Sequence, residues 1–203
     1  IGMGFRKNAI CPNCFSKDRE RLFYLFLQKL ISEKSINYSS KIIHFSPESS
    51  LERNFFRKNF SNYFTADIIK NKSDFIIDLQ NFNFEEKNFD LVICNHVLEH
   101  IEDDNIALKN IYSIIKPGGL AILQTPLSKI IDEDYTNPSV KTDNDRLNFY
   151  GQEDHVRIYS KKSLIQKIKK VGFEIKILQL EDFFLQNESI GLIKDEEILF
   201  AKK

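Results

Sequence analysis

Two neighbouring stretches decide the fold: Phe89-Asp90-Leu91-Val92-Ile93-Cys94-Asn95-His96-Val97-Leu98-Glu99-His100 and Lys116-Pro117-Gly118-Gly119-Leu120-Ala121-Ile122-Leu123-Gln124-Thr125-Pro126. In the first, an apolar run of strand length stops at a polar cluster. The segment between them, from about Asp104 to Ile115, puts Leu108, Ile111, Ile114 and Ile115 on one helical face. Its end is marked three times. Lys116 suits the negative end of the helix dipole, Pro117 cannot continue the helix, and Gly118-Gly119 is expected to turn left-handed into a strand over Leu120 to Gln124. The whole is a strand, helix, strand unit, and open α/β sheets bind ligands outside the carboxyl ends of their strands.

Working outward, the same alternation extends in both directions. Lys41 to Phe45 reads as a first strand and Ser46-Pro47-Glu48-Ser49-Ser50 as a turn capping a helix over Leu51 to Phe60. Tyr63 to Ala66 is the second strand, closed by Asp67, and Phe75-Ile76-Ile77 the third, closed by Asp78. Lys162 to Val171 is helical, Gly172 ends it, and Phe173 to Leu180 with Glu197 to Ala201 form a hairpin-like end. The polar stretch from Ser128 to Gln152 is too long for an ordinary connection and is expected to be a lid or binding loop. Upstream, residues 18 to 33 are helical, with Asp18 placed to cap the start and the apolar face against the sheet. The expected fold is α/β: a Rossmann-like, mostly parallel sheet with helices on both faces and an antiparallel C-terminal strand pair. Residues 1–35 form an N-terminal segment and residues 36–203 the main domain.

Composition bounds the function. Twenty-nine basic and 29 acidic residues cancel, so no global field draws the chain to nucleic acid or an anionic membrane. No apolar run approaches the roughly 18 to 20 residues of a membrane span, and the start lacks the apolar segment of a secretory signal, so a cytoplasmic location is expected. Three cysteines make no disulfide framework. The 18 Phe, with abundant Ile, Lys and Asn, express a compositional bias.

Asp67 follows the first strand by about twenty residues, where a carboxylate accepts hydrogen bonds from both hydroxyls of a ribose. Asp78 repeats the arrangement one strand later, and Asn95-His96 ends the fourth strand. That row suits a nucleoside. The turn after the first strand holds no glycine, which argues against a pyrophosphate and so against a dinucleotide.

These residues carry a resemblance. Asn88 to Ile101 with Ile114 to Leu123 resembles the class I S-adenosylmethionine-dependent methyltransferases, in the branch with Leu-Glu-His after the fourth strand. That family usually has a Gly-rich first turn. A smaller subgroup with Ser or Ala, Pro, Glu there is similar to this chain, including a preceding Cys-Pro-x-Cys with a following Arg (Cys11-Pro12-Asn13-Cys14, Arg19 or Arg21). It also has a later Gly-Gln-x-Asp-His-x-Arg-x-Tyr, matched by Gly151 to Tyr159. The resemblance implies S-adenosylmethionine as cofactor, with Phe45, Ser46, Pro47 and Glu48 beside it. Asp67 would take its ribose, Asp78 and Leu79 would flank the adenine, and Asn95 and His96 would line the methionine end. It also implies methyl transfer to an acceptor expected to be a small molecule.

The segment after the fifth strand commonly supplies the acceptor pocket in this fold. His155 is therefore the expected base, and Arg146, Tyr150, Gln152, Arg157 and Tyr159 the expected acceptor-binding set. In-line displacement at a sulfonium requires no metal. Cys11 and Cys14 are spaced for half a zinc site, but closing it needs two more ligands. Zinc is accordingly not expected. Two rival readings are a non-catalytic member of the fold that binds the cofactor or a partner, and an RNA-binding module or RNA-directed methyltransferase using Arg6, Lys7, Lys17, Arg19 and Arg21 around the cysteines.

Overall fold

The computed structural model describes residues 8–182, 191–192 and 196–203, so Arg6 and Lys7 of the basic N-terminal cluster lie outside the described residues. The elements, in chain order, are α1 (Asp18–Ser32), β1 (Ile42–Phe45), α2 (49–59), β2 (Tyr63–Asp67), β3 (Phe75–Ile76), β4 (Phe89–Ile93), α3 (Asp104–Ile114), β5 (Ile115–Ile122), β6 (Leu127–Ser128), α4 (Asp143–Tyr150), β7 (Tyr159–Ser160), α5 (Lys161–Val171), β8 (Glu174–Gln179) and β9 (Glu197–Lys202). The centre of α2, Glu52–Phe56, is π-helical. Seven strands form one sheet in the order β3-β2-β1-β4-β5-β9-β8. All pairs from β3 to β5 are parallel, and β9 runs antiparallel to both β5 and β8. The expected architecture, including the C-terminal strand pair, is the one observed.

The central parallel strands β1 and β4 are buried on both faces, which is why these runs are largely apolar rather than alternating. Successive residues serve opposite cores. Ile42, Leu91, Ile93 and Ile122 pack with α1 and α2, whereas Ile43, Val92, Ala121 and Leu199 pack with α3 and α5. The expected apolar face of α1 thus joins the core beside Phe55 and Phe56 of α2. Phe56 is fully buried and stacks on Tyr63 at 4.8 Å between ring centroids.

Several local expectations are corrected. The N-cap of α1 is Lys17, without a side-chain cap, and Asp18 is its buried first residue. After α3 the chain is already extended at Ile115, which pairs with Phe89; the register shifts and resumes at Leu120 opposite Leu91. Gly118 does take a left-handed conformation, with φ of +78°, but Gly119 serves close approach instead. A Cβ there would lie 2.7 Å from Ile115 Cγ2 and 2.9 Å from the Phe89 carbonyl oxygen. Lys116 turns to Asp90, and Lys203 Nζ donates to the last carbonyls of the helix region, those of Tyr112 and Ile115, at 2.7 and 2.8 Å. The stretch from Ser128 to Gln152 is not all loop, because α4 occupies its second half. Thr142 and Asp145 form a capping box and Gly151 closes the helix left-handed.

Candidate functional site

The strand order reverses between β1 and β4: β1 continues outward to β2 and β3, β4 to β5. Such a switch point opens a crevice at the strands' carboxyl ends. The chain leaves β1 through Ser46, at φ of +46°, and leaves β4 through Asn95 and His96, the latter at φ of +54°. Two non-glycine residues in left-handed conformation thus flank one crevice. Ser46 supplies with a side-chain-bearing residue the backbone direction for which a glycine is ordinarily used, at a cost of about 1–2 kcal/mol. Its amide donates to the Ala66 carbonyl at 2.8 Å. The glycine-free turn is therefore shaped like a glycine turn.

Two cavities open here. One, of about 430 Å³, lies between Ser46 to Arg53 and the N-terminal residues Cys14 to Glu20. The other, of about 680 Å³, is walled by α1 (Arg19, Leu22, Phe23), by the segment from Gln124 to Asp132, and by residues of α5 and β9. Arg19, Glu48, Asn95 and His96 line both. Burial alone would raise the Glu48 pKa, but the His44 imidazole, 2.9 Å away, outweighs it and holds the carboxyl at about 2. Asn95 Nδ2 donates to Glu48 at 3.3 Å, joining the two strand ends. Across the smaller cavity Glu20 is buried, and burial, with Glu48 adding, pushes its pKa up.

Behind the shared wall, His96 Nδ1 lies 3.5 Å from Glu99, whose other oxygen accepts from the Thr125 hydroxyl at 2.9 Å. Burial opposes ionisation of Glu99, yet the His96 hydrogen bond and charge leave its pKa lowered.

The other expected cofactor contacts fall as follows. The Phe45 side chain is buried in the core. Asp67 and Asp78 stand where β2 and β3 end, accepting from the amides of Ile69 and Gln80 at 2.8 Å, with Leu79 buried beside Asp78. None of these three lines either cavity.

The residues of the expected acceptor set are placed as follows. Arg157 and Tyr159 are buried around Asp104: the Arg157 guanidinium pairs with its carboxylate and also donates to the carbonyls of Ile101 and Glu102, and the Tyr159 hydroxyl donates to Asp104 at 2.6 Å. Lys167 completes the cluster at 2.6 Å. Tyr150 hydrogen-bonds Asn137, Arg146 pairs with Glu102, and Gln152 is exposed in the turn after α4. His155 is buried, 6% exposed, against the ring of His100. Burial lowers its pKa, and the neighbouring His100 adds to this. None of the six lines either cavity. A dense run of polar residues here marks an ion cluster that ties residues 154–160 to α3. Leu22 and Phe23, which the sequence offers only as an apolar helix face, line the larger cavity from α1 together with Arg19, far from the strand ends in sequence.

Cys11 and Cys14 are free and half-exposed on a short hairpin bridged between Ile10 and Lys17. Cys14 Sγ lies 3.2 Å from the Ser16 hydroxyl, and hydrogen bonding from Ser16 lowers its pKa. Among the described residues no third metal-ligating side chain joins the pair.

Comparison with known proteins agrees with this architecture. The model of a methyltransferase domain family matches residues 18–177. The ubiquinone biosynthesis O-methyltransferase of Rickettsia typhi is 39% identical over 69 residues, which make up 32% of this chain and 28% of that protein. Among solved structures, an S-adenosylmethionine-dependent methyltransferase from Mesorhizobium loti superposes with a TM-score of 0.57 at 10% identity, over 84% of this chain and 95% of that one. The 1,6-didemethyltoxoflavin-N1-methyltransferase of Burkholderia thailandensis, solved with 1,6-didemethyltoxoflavin and S-adenosylhomocysteine, gives 0.56 at 13%, over 87% and 75%. With the family model spanning most of the chain and the sheet order, switch-point crevice and strand-end residues in place, the chain belongs to the class I S-adenosylmethionine-dependent methyltransferases.

Proposed function

We propose that the chain moves a methyl group from S-adenosylmethionine to a small-molecule acceptor held in the larger cavity, with His96 at the meeting point. The observation that carries this is the wall of Arg19, Glu48, Asn95 and His96 common to both cavities, set at the β1/β4 switch point. The cofactor's ribose is assigned to Asp67 and its adenine to Asp78 and Leu79. Its methionine end is assigned to Ser46, Pro47, Glu48 and Asn95. S-Adenosylhomocysteine in the toxoflavin enzyme supports the cofactor, and that enzyme's acceptor, with the O-methyltransferase relative, supports a small molecule.

Transfer is an in-line displacement at the methyl carbon, so alignment of nucleophile, methyl and sulfur is the protein's main contribution. With His96 Nδ1 turned to Glu99, Nε2 is left to orient the acceptor and take its proton. This role replaces the one expected of His155. Leu22 and Phe23 offer an apolar bed, and Arg19 a positive charge for an anionic group on the acceptor.

Calorimetric titration with S-adenosylhomocysteine tests the cofactor site. Binding is expected in the parent and a loss of at least about tenfold in Asp67→Ala, the scale of one charged hydrogen-bonding group. A folded parent that fails to bind at millimolar ligand overturns the proposal.

A further inference from the structure

We propose that Glu99, His100 and His155 form a binding site for a divalent cation of the zinc type, built between the turn after β4 and the segment preceding β7. One ligand atom from each residue lies within 4.8 Å of the others, and among the described residues no other group of three metal-ligating side chains converges in this way. The chemistry of the set is two imidazoles and one carboxylate. This donor set suits cations of borderline softness, and three protein ligands leave a fourth position open for water or a substrate oxygen.

The surroundings are those of a built site. His100 Nδ1 lies 3.2 Å from both the carbonyl oxygen and a carboxylate oxygen of Asp154. Both partners are acceptors, so Nδ1 must carry the proton and Nε2 the lone pair. A carboxylate or carbonyl behind the non-ligating nitrogen is the usual support of a ligating histidine. Glu99 is supported in turn by the Thr125 hydroxyl. His155 is 94% removed from solvent, and its ring makes no hydrogen bond to any described residue, only the edge contact with His100 at 4.8 Å between centroids. Two imidazoles, set edge to face, thus converge with a buried carboxylate on one point. A cation satisfies all three.

The site is distinct from the cysteine pair and independent of the acceptor's identity. It would cross-link residues 98–100 to residues 153–157, already joined by the Val156 amide donating to Glu99 O at 2.9 Å. Through Glu99 it would also set the position of His96.

Cobalt titration of the chelator-stripped, redialysed full chain tests it. Co²⁺ bound by two nitrogens and an oxygen is expected to give visible d–d bands, displaced by Zn²⁺. Loss of one ligand in His155→Ala or His100→Ala should weaken binding by more than the roughly 10- to 100-fold that removal of a supporting group costs, and Asp154→Asn by roughly 10-fold. Cys11→Ser with Cys14→Ser should leave the bands unchanged. If His155→Ala does not fold, His155→Gln is expected to fold and to lose the bands. The proposal is overturned by bands that survive both histidine changes, by bands with thiolate character that vanish with the cysteines, or by a folded parent that binds neither metal.

Discussion

At the scale of single residues, Ser46 and His96 show what the crevice demands of the chain. A side chain in the left-handed region costs about 1–2 kcal/mol for serine and more for a β-branched residue, whose Cβ substituents crowd the backbone. Ser46→Gly is therefore expected to keep stability within about 1 kcal/mol of the parent. Ser46→Val should lose about 1–2 kcal/mol beyond that in urea denaturation, together with cofactor affinity. Equal cofactor binding by the valine variant would show that the turn does not touch the cofactor. At Asp104, the carboxylate neutralises a buried Arg157 and accepts from Tyr159 and Lys167. Asp104→Asn leaves that guanidinium uncompensated and should cost about 3–5 kcal/mol. The sequence offers the polar residues around it as an acceptor pocket, and a buried ion cluster draws on the same residue types. Their partner Asp104 lies some 50 residues upstream, so the cluster itself was not legible in the run.

At the scale of elements, strand ends were legible and so was the helix after β4, since apolar runs closed by Asp67, Asp78 and Asn95 carry both period and boundary. α4 was not. Its hydrophobic face is weak, with Leu147 and Phe149 exposed, and the visible signal was the Thr142-x-x-Asp145 box before Gly151. Thr142→Ala should cost about 1 kcal/mol and raise amide exchange within residues 143–150. The close approach at Gly119 was equally hidden, because the residue it meets, Phe89, lies on another strand. Gly119→Ala sets a Cβ against a carbonyl oxygen at 2.9 Å and should destabilise the β4–β5 pairing by about 1–3 kcal/mol, read as a lower midpoint in urea.

At the scale of the whole molecule, the cavity walls come from elements far apart in the chain, α1 against β9 and the Gln124 to Asp132 segment. Periodicity reveals which face of α1 is buried and nothing of which strand it meets. Charge is likewise distributed. Glu48, at about 2, and Asp104, with its pKa lowered, are more acidic folded than unfolded. Each contributes stability present above its unfolded pKa near 4 and lost as pH falls through the folded value. Glu20, pushed up, acts in the opposite sense and regains stability on acidification. The two depressed groups outnumber it, so thermal midpoints should hold between about pH 5 and 7 and fall below about pH 4. A midpoint that rises on acidification would refute the Glu48 and Asp104 pairings.

The place of β9 has a consequence for synthesis. The strand made after β8 is inserted between β5 and β8, inside the sheet rather than at its rim. A ribosome that has released everything up to Gln179 therefore holds a sheet with β5 bare along one edge and β8 unable to join it. Until Glu197–Lys202 emerges, those unpaired backbone groups are open to strands of other chains. A nascent chain halted before β9 is expected to sediment with aggregates or to be held by chaperones, whereas one halted after Lys202 resists protease.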